Sequence, residues 1–133
     1  MKNISVVAAV IMHEHKILCV QRGHSDKTYV SNKWEFPGGK IEENETRIQA
    51  LHREIREELT MEIAIQAFFM NIQHTYSDFH LSMDVYLCES ATNQLQLQEH
   101  KSYKWLTIEE LPSLDWAEAD IPVVDRLIKK DFQ

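Results

Sequence analysis

The sequence predicts an α/β protein in which helices pack against a mixed β-sheet. Three observations indicate this class: several short apolar segments have the composition of strands, one long amphipathic helix lies among them, and a second helix ends the chain. Of the 133 residues, 44% are hydrophobic and 26% are charged, which is typical of a folded globular protein. We expect residues 1–133 to form one domain.

Five segments have the composition of strands. A short turn around Glu14 separates the first two, and a polar loop over residues 23–33 follows the second. A Pro-Gly-Gly run at residues 37–39 predicts a tight change of chain direction. The predicted strands span residues 5–12, 17–21, 63–73, 81–88 and 102–106.

The long helix is predicted over residues 46–59, which contain no Gly or Pro and are rich in helix formers. Ile48, Leu51, Ile55 and Leu59 recur at helical spacing, so we expect them to form one apolar stripe that faces the core.

The last helix is predicted over about residues 121–130, after a turn at residues 107–114. Asp120 is placed to cap its N-terminus, and Pro122 lies in its first turn, where proline is well tolerated.

The charge balance argues against two classes of partner. Fourteen Lys and Arg stand against 21 Asp and Glu, giving a formal charge of −7, so the chain lacks the basic surface that binds nucleic acid or anionic lipid. Its longest apolar run, residues 6–12, is far too short to span a bilayer. Cys19 and Cys88 lie in strand-like segments without CxxC spacing, so we expect buried free thiols and a cytoplasmic protein.

Three carboxylates in the long helix are the first candidates for chemistry. Glu54, Glu57 and Glu58 stand at i, i+3 and i+4, so they fall within an arc of roughly 100° on one flank. Like charges at this spacing destabilise a helix, and Mg²⁺ would relieve the repulsion because it prefers oxygen ligands. A solvated acidic face is the alternative.

The residues around this trio carry a longer pattern. It reads Gly39-x5-Glu45-x7-Arg53-Glu54-Ile55-Arg56-Glu57-Glu58-Leu59-Thr60-Met61. This closely resembles the box G-x5-E-x7-R-E-U-x-E-E-x-G-U, with U aliphatic, of the Nudix hydrolases, and it departs from that box only at Thr60. Residues 34–42 also resemble the segment before the box in MutT-type enzymes, and residues 78–80 and 119–122 resemble the CTP pyrophosphohydrolase branch.

The resemblance implies an α/β/α sandwich, with the box helix on one side of a mixed sheet and the C-terminal helix on the other. It also implies a metal site. Glu54, Glu57 and Glu58, with the carbonyl of Gly39, would hold Mg²⁺, or Mn²⁺ in its place, and Arg53 would orient the carboxylates.

Four further positions follow from the resemblance. Glu45 would brace the junction between loop and helix. Arg22 matches a family position that contacts the phosphates, although a surface salt bridge is equally compatible with it. Glu99 aligns with an acidic residue that binds metal or acts as the base, with a plain exposed residue as the alternative. Lys40 is expected to contact the substrate.

The implied reaction is hydrolysis of a (deoxy)nucleoside triphosphate. Water would attack an inner phosphorus and release a nucleoside monophosphate and pyrophosphate. One of Glu54, Glu57 and Glu99 would take the proton from that water, and the sequence does not distinguish among them. Together with Arg53 and Glu58, these residues form the predicted catalytic set.

The base pocket is predicted at four residues. Phe36, Tyr76 and Phe79 could stack on a base or belong to the core. An ionised Asp120 could accept a hydrogen bond from the amino group of cytosine or guanine, besides capping the last helix. Phe79 is aromatic where MutT is basic, and Asp120 is acidic where MutT has an amide. These changes favour CTP or dCTP as the substrate. Oxidised or methylated nucleotides are the other option, and their removal would be a house-cleaning role in DNA repair.

Thr60 stands where the box has Gly, a residue suited to a left-handed helix end. We therefore expect the helix to run on or to end in a different turn.

The alternatives for function are hydrolysis of ADP-ribose or a dinucleoside polyphosphate, and nucleotide sensing without turnover. Either a monomer or a homodimer is compatible with the sequence.

Overall fold

A seven-stranded mixed sheet forms the centre of the computed structural model, which describes residues 1–129. The main strand order is β3-β2-β1-β6-β5, while β4 pairs with β1 and β7 pairs with β2. The β1–β6 pair is parallel and the other pairs are antiparallel. The strands are β1 (Lys2–His13), β2 (Lys16–Gln21), β3 (Trp34–Glu35), β4 (Gly38–Lys40), β5 (Ala64–Thr75), β6 (Phe79–Glu89) and β7 (Ser102–Leu106).

The five predicted strands are all present, with longer bounds for most of them. The two short strands on either side of Pro37, β3 and β4, were missed because two or three residues carry no periodic signal. The β4 strand runs so close to β1 that a Cβ on Gly38 would lie 1.9 Å from the Val7 carbonyl oxygen. Glycine at this position is therefore a packing requirement.

Helix α1 (Arg47–Leu59) begins at a capping box. The Thr46 hydroxyl accepts from the Gln49 amide at 3.1 Å, and the Gln49 side chain accepts from the Thr46 amide at 2.9 Å. The predicted apolar stripe is buried except at Ile48, which is 41% exposed. Ile48 lies in the first turn of α1, where it borders a shallow surface depression instead of the core.

The two faces of the sheet carry separate apolar cores, as the mixed α/β class predicts. Because successive strand residues point to opposite faces, β1 contributes to both. The core on one face packs against α1, and the core on the other packs against α2 (Ile121–Lys129) and a 3₁₀ helix (Ile108–Ser113) at the predicted turn. Residue 130, where the last helix was expected to end, lies outside the described residues. Within residues 1–129 no helix has the length and apolar character needed to cross a membrane.

Cys19 and Cys88 are buried free thiols, as predicted. Burial raises the pKa of each thiol to about 12. Neither is therefore ionised at neutral pH, and both act as small apolar core residues.

Thr60 ends α1 in the left-handed conformation, at φ 56° and ψ 43°, and its amide donates to the Arg56 carbonyl at 3.0 Å. The expectation that the helix would run on or end in another turn is therefore wrong. Contacts beyond the helix hold this geometry. The backbone amide of Gln96 donates to the Leu59 carbonyl at 2.9 Å, and that of Gln98 donates to the Glu58 carbonyl at 3.2 Å. Met61, the next residue, is buried.

A Thr60→Gly substitution should stabilise the protein, because glycine adopts the left-handed region without the steric cost that a β-branched residue incurs. After subtracting the greater flexibility of glycine in the unfolded chain, we expect the free energy of unfolding to rise by about 0.5–1 kcal/mol. Urea unfolding measures the change. Thr60→Ala, which retains the Cβ, should raise the free energy of unfolding by less. A loss of stability in Thr60→Gly would contradict the argument.

Candidate active site

A cavity of about 1110 Å³ opens between the acidic flank of α1 and the loop over residues 23–33. It has an acidic end on α1 and an aromatic end near Asp120. Arg53 is not among the lining residues and lies behind the acidic end. The predicted site residues that line the cavity are Arg22, Phe36, Gly39, Lys40, Glu54, Glu57, Glu58, Tyr76, Phe79, Glu99 and Asp120.

The guanidinium of Arg53 holds the acidic end together. Its Nη1 lies 2.8 Å from Glu54 Oε1 and 3.3 Å from Glu57 Oε2. Its Nε lies 2.7 Å from Glu45 Oε2, and its Nη2 donates to the Lys40 carbonyl at 2.9 Å. One cation thus makes charge-assisted hydrogen bonds with three carboxylates, forms a longer ion pair with Glu42 at 3.5 Å, and ties α1 to β4.

Glu45 lies at the junction between loop and helix. Its two oxygens accept from Arg53, and Oε1 also accepts from the Glu42 amide at 2.9 Å. The hydrogen bonds from Arg53, followed by that from Glu42, lower the pKa of Glu45 to about 2. The carboxylate is therefore charged at neutral pH and holds Arg53 in place.

Glu58 differs from its neighbours because its Oε2 is buried and has no hydrogen-bond partner. Burial, together with the carboxylates of Glu54, Glu35 and Glu99, raises the pKa of Glu58 to about 8. A buried carboxylate oxygen that lacks a donor and faces other carboxylates is a position where a cation would be stabilised.

The carboxylates fit a divalent metal in chemistry, but their side chains are not gathered into a finished ligand set. Within residues 1–129, no three His, Cys, Asp or Glu side chains are already grouped to hold a metal ion. Glu54 and Glu57 are instead paired with Arg53. Arg53 contacts one oxygen of each, Glu54 Oε1 and Glu57 Oε2, so metal binding at this end would use the other oxygen of each carboxylate.

Gly39 on β4 makes room for the Glu54 carboxylate. A Cβ at this position would lie 2.4 Å from both the carboxyl carbon and Oε2 of Glu54. Any side chain here would displace that carboxylate, so the glycine and the glutamate depend on each other.

Aromatic side chains form the other end of the cavity. Tyr76 is buried, with its ring 4.9 Å from Tyr29 and 5.1 Å from Phe79. Phe36 is also buried and stacks on Trp116 at 4.7 Å. Phe36 and Tyr76 therefore belong to the core and to the cavity wall at once, whereas Phe79 is partly exposed.

Tyr29 was missed by the sequence analysis because it lies in a polar loop without periodicity. Its hydroxyl donates to the Asp78 carboxylate, and Lys27 Nζ lies 2.8 Å from the other oxygen of that carboxylate. These contacts fasten the loop over residues 23–33 to the turn between β5 and β6.

Asp120 is buried beside Phe36, and its Oδ1 accepts from the Phe36 amide at 3.1 Å. The 3₁₀ turn Glu118–Asp120 runs directly into α2, so Asp120 lies within helical backbone and the predicted N-cap role is wrong. Burial first, and then the charge of Glu35, raises the pKa of Asp120 well above its usual value. The predicted ionised form is therefore disfavoured, and the uncharged carboxyl both donates and accepts.

Arg22 and Glu99 lie near the acidic end. Arg22 is half-exposed, with Nη1 3.4 Å from Glu35 Oε1, so the salt bridge considered for it is present while the side chain still borders the cavity. Glu99 is an exposed loop residue that is close enough to Glu58 to raise its pKa. Lys40 is exposed on β4.

Two further cavity residues, Glu35 and His100, were also missed by the sequence analysis. His100 Nε2 lies 3.1 Å from Glu35 Oε2, although 65 positions separate the two residues in the chain. A pairing over that separation leaves no local signal in the sequence.

Comparison with known proteins identifies relatives along nearly the whole chain. The family model of the NUDIX domain matches residues 6–126. The chain is 37% identical over 126 residues to the CTP pyrophosphohydrolase of Escherichia coli K12, covering 94% of this chain and 91% of that protein. It is 29% identical over 127 residues to the 8-oxo-dGTP diphosphatase of the same strain, covering 96% and 98%. The solution structure of MutT from methicillin-resistant Staphylococcus aureus 252 is 41% identical, with a TM-score of 0.74 and coverage of 98% and 99%.

A Gly39→Ala substitution should weaken divalent-metal binding, because the added Cβ displaces the Glu54 carboxylate. We expect the dissociation constant for Mn²⁺, measured by electron paramagnetic resonance, to rise about 10- to 100-fold. Gly23→Ala is the matched control, since a Cβ there meets no atom within 4 Å. Equal Mn²⁺ affinity in the two variants would contradict the role given to Gly39.

An Asp120→Asn substitution should change how stability depends on pH. Because the folded-state pKa is raised, the stability that uncharged Asp120 contributes is complete below its unfolded pKa and is lost as pH rises through the folded pKa. The free energy of unfolding of the variant, relative to the parent, should therefore increase with pH by up to about 1.4 kcal/mol per unit. Urea unfolding between pH 4 and 8 measures it. Asp125→Asn, on the exposed side of α2, controls for net charge, and a flat difference for Asp120→Asn would refute the assignment.

Proposed function

The chain belongs to the Nudix family of hydrolases, which act on phosphoanhydride bonds, and from this premise we propose that it is a Mg²⁺-dependent nucleoside triphosphate pyrophosphohydrolase. It releases a nucleoside monophosphate and pyrophosphate. Its preferred substrates are CTP and dCTP, with oxidised or otherwise modified nucleotides such as 8-oxo-dGTP as the second group. Similarity to a CTP pyrophosphohydrolase and to an 8-oxo-dGTP diphosphatase supports this substrate class.

The observation that carries the proposal is the buried, unpartnered Oε2 of Glu58. Glu54, Glu57, Glu58 and Glu99, with the Gly39 carbonyl, would hold Mg²⁺, or Mn²⁺ in its place. When bound, the metal supplies positive charge for the triphosphate and lowers the pKa of a coordinated water. An acidic protein gains most from such a cation, because its own net charge of −7 opposes a polyphosphate.

The remaining steps belong to the side chains at the acidic end. Arg22 and Lys40 border the cavity and bind phosphate oxygens. Arg53 holds Glu54 and Glu57 in position without reaching the cavity. One carboxylate among Glu54, Glu57 and Glu99 accepts the proton of the attacking water.

The aromatic end binds the base. Phe79 is the partly exposed ring in the wall and stacks on the base, and Phe36 supports that surface from the core. The uncharged carboxyl of Asp120 donates to one ring atom and accepts from the adjacent amino group, a pattern that matches N3 and N4 of cytosine. Guanine offers N1–H and O6 to the same carboxyl, so oxidised guanine remains within the substrate range.

The proposed setting is the cytoplasm, where the free thiols Cys19 and Cys88 remain reduced. Removal of damaged nucleotides there would serve DNA repair. A charge of −7 gives no basis for a nucleic-acid or membrane partner.

The decisive experiment measures pyrophosphate release with Mg²⁺ from CTP, dCTP, 5-methyl-dCTP, 8-oxo-dGTP, the unmodified dNTPs and ADP-ribose. We expect CTP or dCTP to rank first. Glu57→Gln should lower kcat at least about 100-fold, because it removes a metal ligand and a candidate base. Glu62→Gln is the matched control, since Glu62 is exposed and pairs with Arg56 outside the cavity.

Two results would overturn the proposal. Cleavage of ADP-ribose or a dinucleoside polyphosphate without turnover of any triphosphate would assign another substrate class. Nucleotide binding without hydrolysis of any compound would make the protein a sensor.

A further inference from the structure

Glu35 lies between the two ends of the cavity and has no role in the reaction described above. We propose that the Glu35 carboxylate, positioned by Arg22 and His100, accepts a hydrogen bond from a hydroxyl group of the substrate sugar. This inference rests on the proposed function, because it takes a nucleotide as the ligand. It adds a residue that recognises the part of the nucleotide between base and phosphates.

The position of Glu35 follows from its neighbours. The amide of Phe36, the next residue, donates to Asp120 at the aromatic end. The side chain of Glu35 itself contacts His100, which directly follows Glu99 at the acidic end. A nucleotide that places its base at Asp120 and its phosphates at α1 must place its sugar between them, where Glu35 lines the cavity.

Electrostatic effects place Glu35 within reach of both ends. Its charge contributes to the raised pKa of Asp120 in the base pocket and to that of Glu58 on α1. It also contributes to the raised pKa of Tyr76 in the aromatic wall. These effects agree with the place of Glu35 in the cavity wall between the two ends.

The contacts of Glu35 leave it free to accept another hydrogen bond. Oε1 lies 3.4 Å from Arg22 Nη1, and Oε2 lies 3.1 Å from His100 Nε2. An ionised carboxylate has about four acceptor positions, so these two contacts leave capacity for a hydroxyl donor. The side chain is 20% exposed, which gives a ligand access to it.

The pairing with Arg22 distinguishes Glu35 from Glu58. The guanidinium compensates the charge of Glu35, whereas the buried oxygen of Glu58 has no partner. Glu35 therefore has no unmet requirement for a cation. His100 is only 7% exposed, so its ring is held by packing and fixes the orientation of the carboxylate.

This geometry has a specific consequence for substrate choice. A hydroxyl that donates to a carboxylate binds equally well before and during the reaction, so its loss should raise KM and leave kcat nearly unchanged. Because the acceptor is a charged group, removing the hydroxyl should lower kcat/KM by about 10-fold or more.

The test compares CTP, dCTP and 2′,3′-dideoxy-CTP in the parent, Glu35→Ala and Glu35→Gln. We expect the parent to prefer a hydroxyl-bearing substrate over the dideoxy nucleotide by about 10-fold or more. Glu35→Ala should abolish that preference through KM, and Glu35→Gln, which retains an acceptor, should keep part of it. A drop between CTP and dCTP identifies the 2′-hydroxyl as the donor to Glu35, and a drop between dCTP and 2′,3′-dideoxy-CTP identifies the 3′-hydroxyl.

Glu62→Ala, which also breaks a carboxylate–arginine pair but lies outside the cavity, is the matched control and should leave the preference intact. His100→Gln should reduce the preference by a smaller factor, because Glu35 keeps its contact with Arg22. Thermal unfolding of each variant separates loss of fold from loss of recognition. Equal losses on all three nucleotides, or no change in their ratio, would overturn the role of Glu35.

Calorimetric titration with CMP, dCMP and 2′,3′-dideoxy-CMP provides a readout that does not depend on turnover. A hydroxyl-dependent affinity that Glu35→Ala removes would support this inference even if the parent hydrolysed no triphosphate, a result that would refute only the proposed function. Hydrolysis with no hydroxyl dependence in either measurement would refute only this inference. Absence of nucleotide binding would refute both.

Discussion

The arrangement of this site depends on the repulsion among the carboxylates of the box and on the guanidinium of Arg53, which compensates part of that negative charge. Glu45, Glu54 and Glu57 all lie within 3.3 Å of Arg53 nitrogens, and the same guanidinium donates to the carbonyl of Lys40. The helix, the loop before it and the strand β4 are thereby held as one unit. Glu58 lies outside this arrangement: its buried Oε2 has no partner, and burial among other carboxylates disfavours its charged form.

The chain around Pro37 connects the chemistry of the two cavity ends. The Phe36 amide holds Asp120, and Gly39 leaves the space that the Glu54 carboxylate occupies. Between them, the Pro37 carbonyl accepts from the Ala9 amide at 2.8 Å and fixes this segment to the centre of the sheet. A few residues thus set the distance between the aromatic end with Asp120 and the carboxylates of α1, and Glu35 lies at the start of the same segment.

Predictions from the sequence succeeded where the signal is local and failed where distant parts of the chain meet. The approximate positions of α1 and of the main strands followed from periodicity and composition, although most strands are longer than predicted. The left-handed end at Thr60 did not, because hydrogen bonds from Gln96 and Gln98, far along the chain, hold it. Ile48 fits the apolar stripe in sequence, yet the helix starts at the rim of the core and leaves it exposed.

The family box and the arc of glutamates on α1 follow from the sequence alone, because both depend only on covalent spacing and on the period of a helix. Folding leaves Glu58 with a buried, unpartnered oxygen, disfavours the charge of Asp120, and pairs Glu35 with His100. Burial and electrostatic coupling depend on which segments pack together, and residues 65 positions apart become neighbours only in the folded chain.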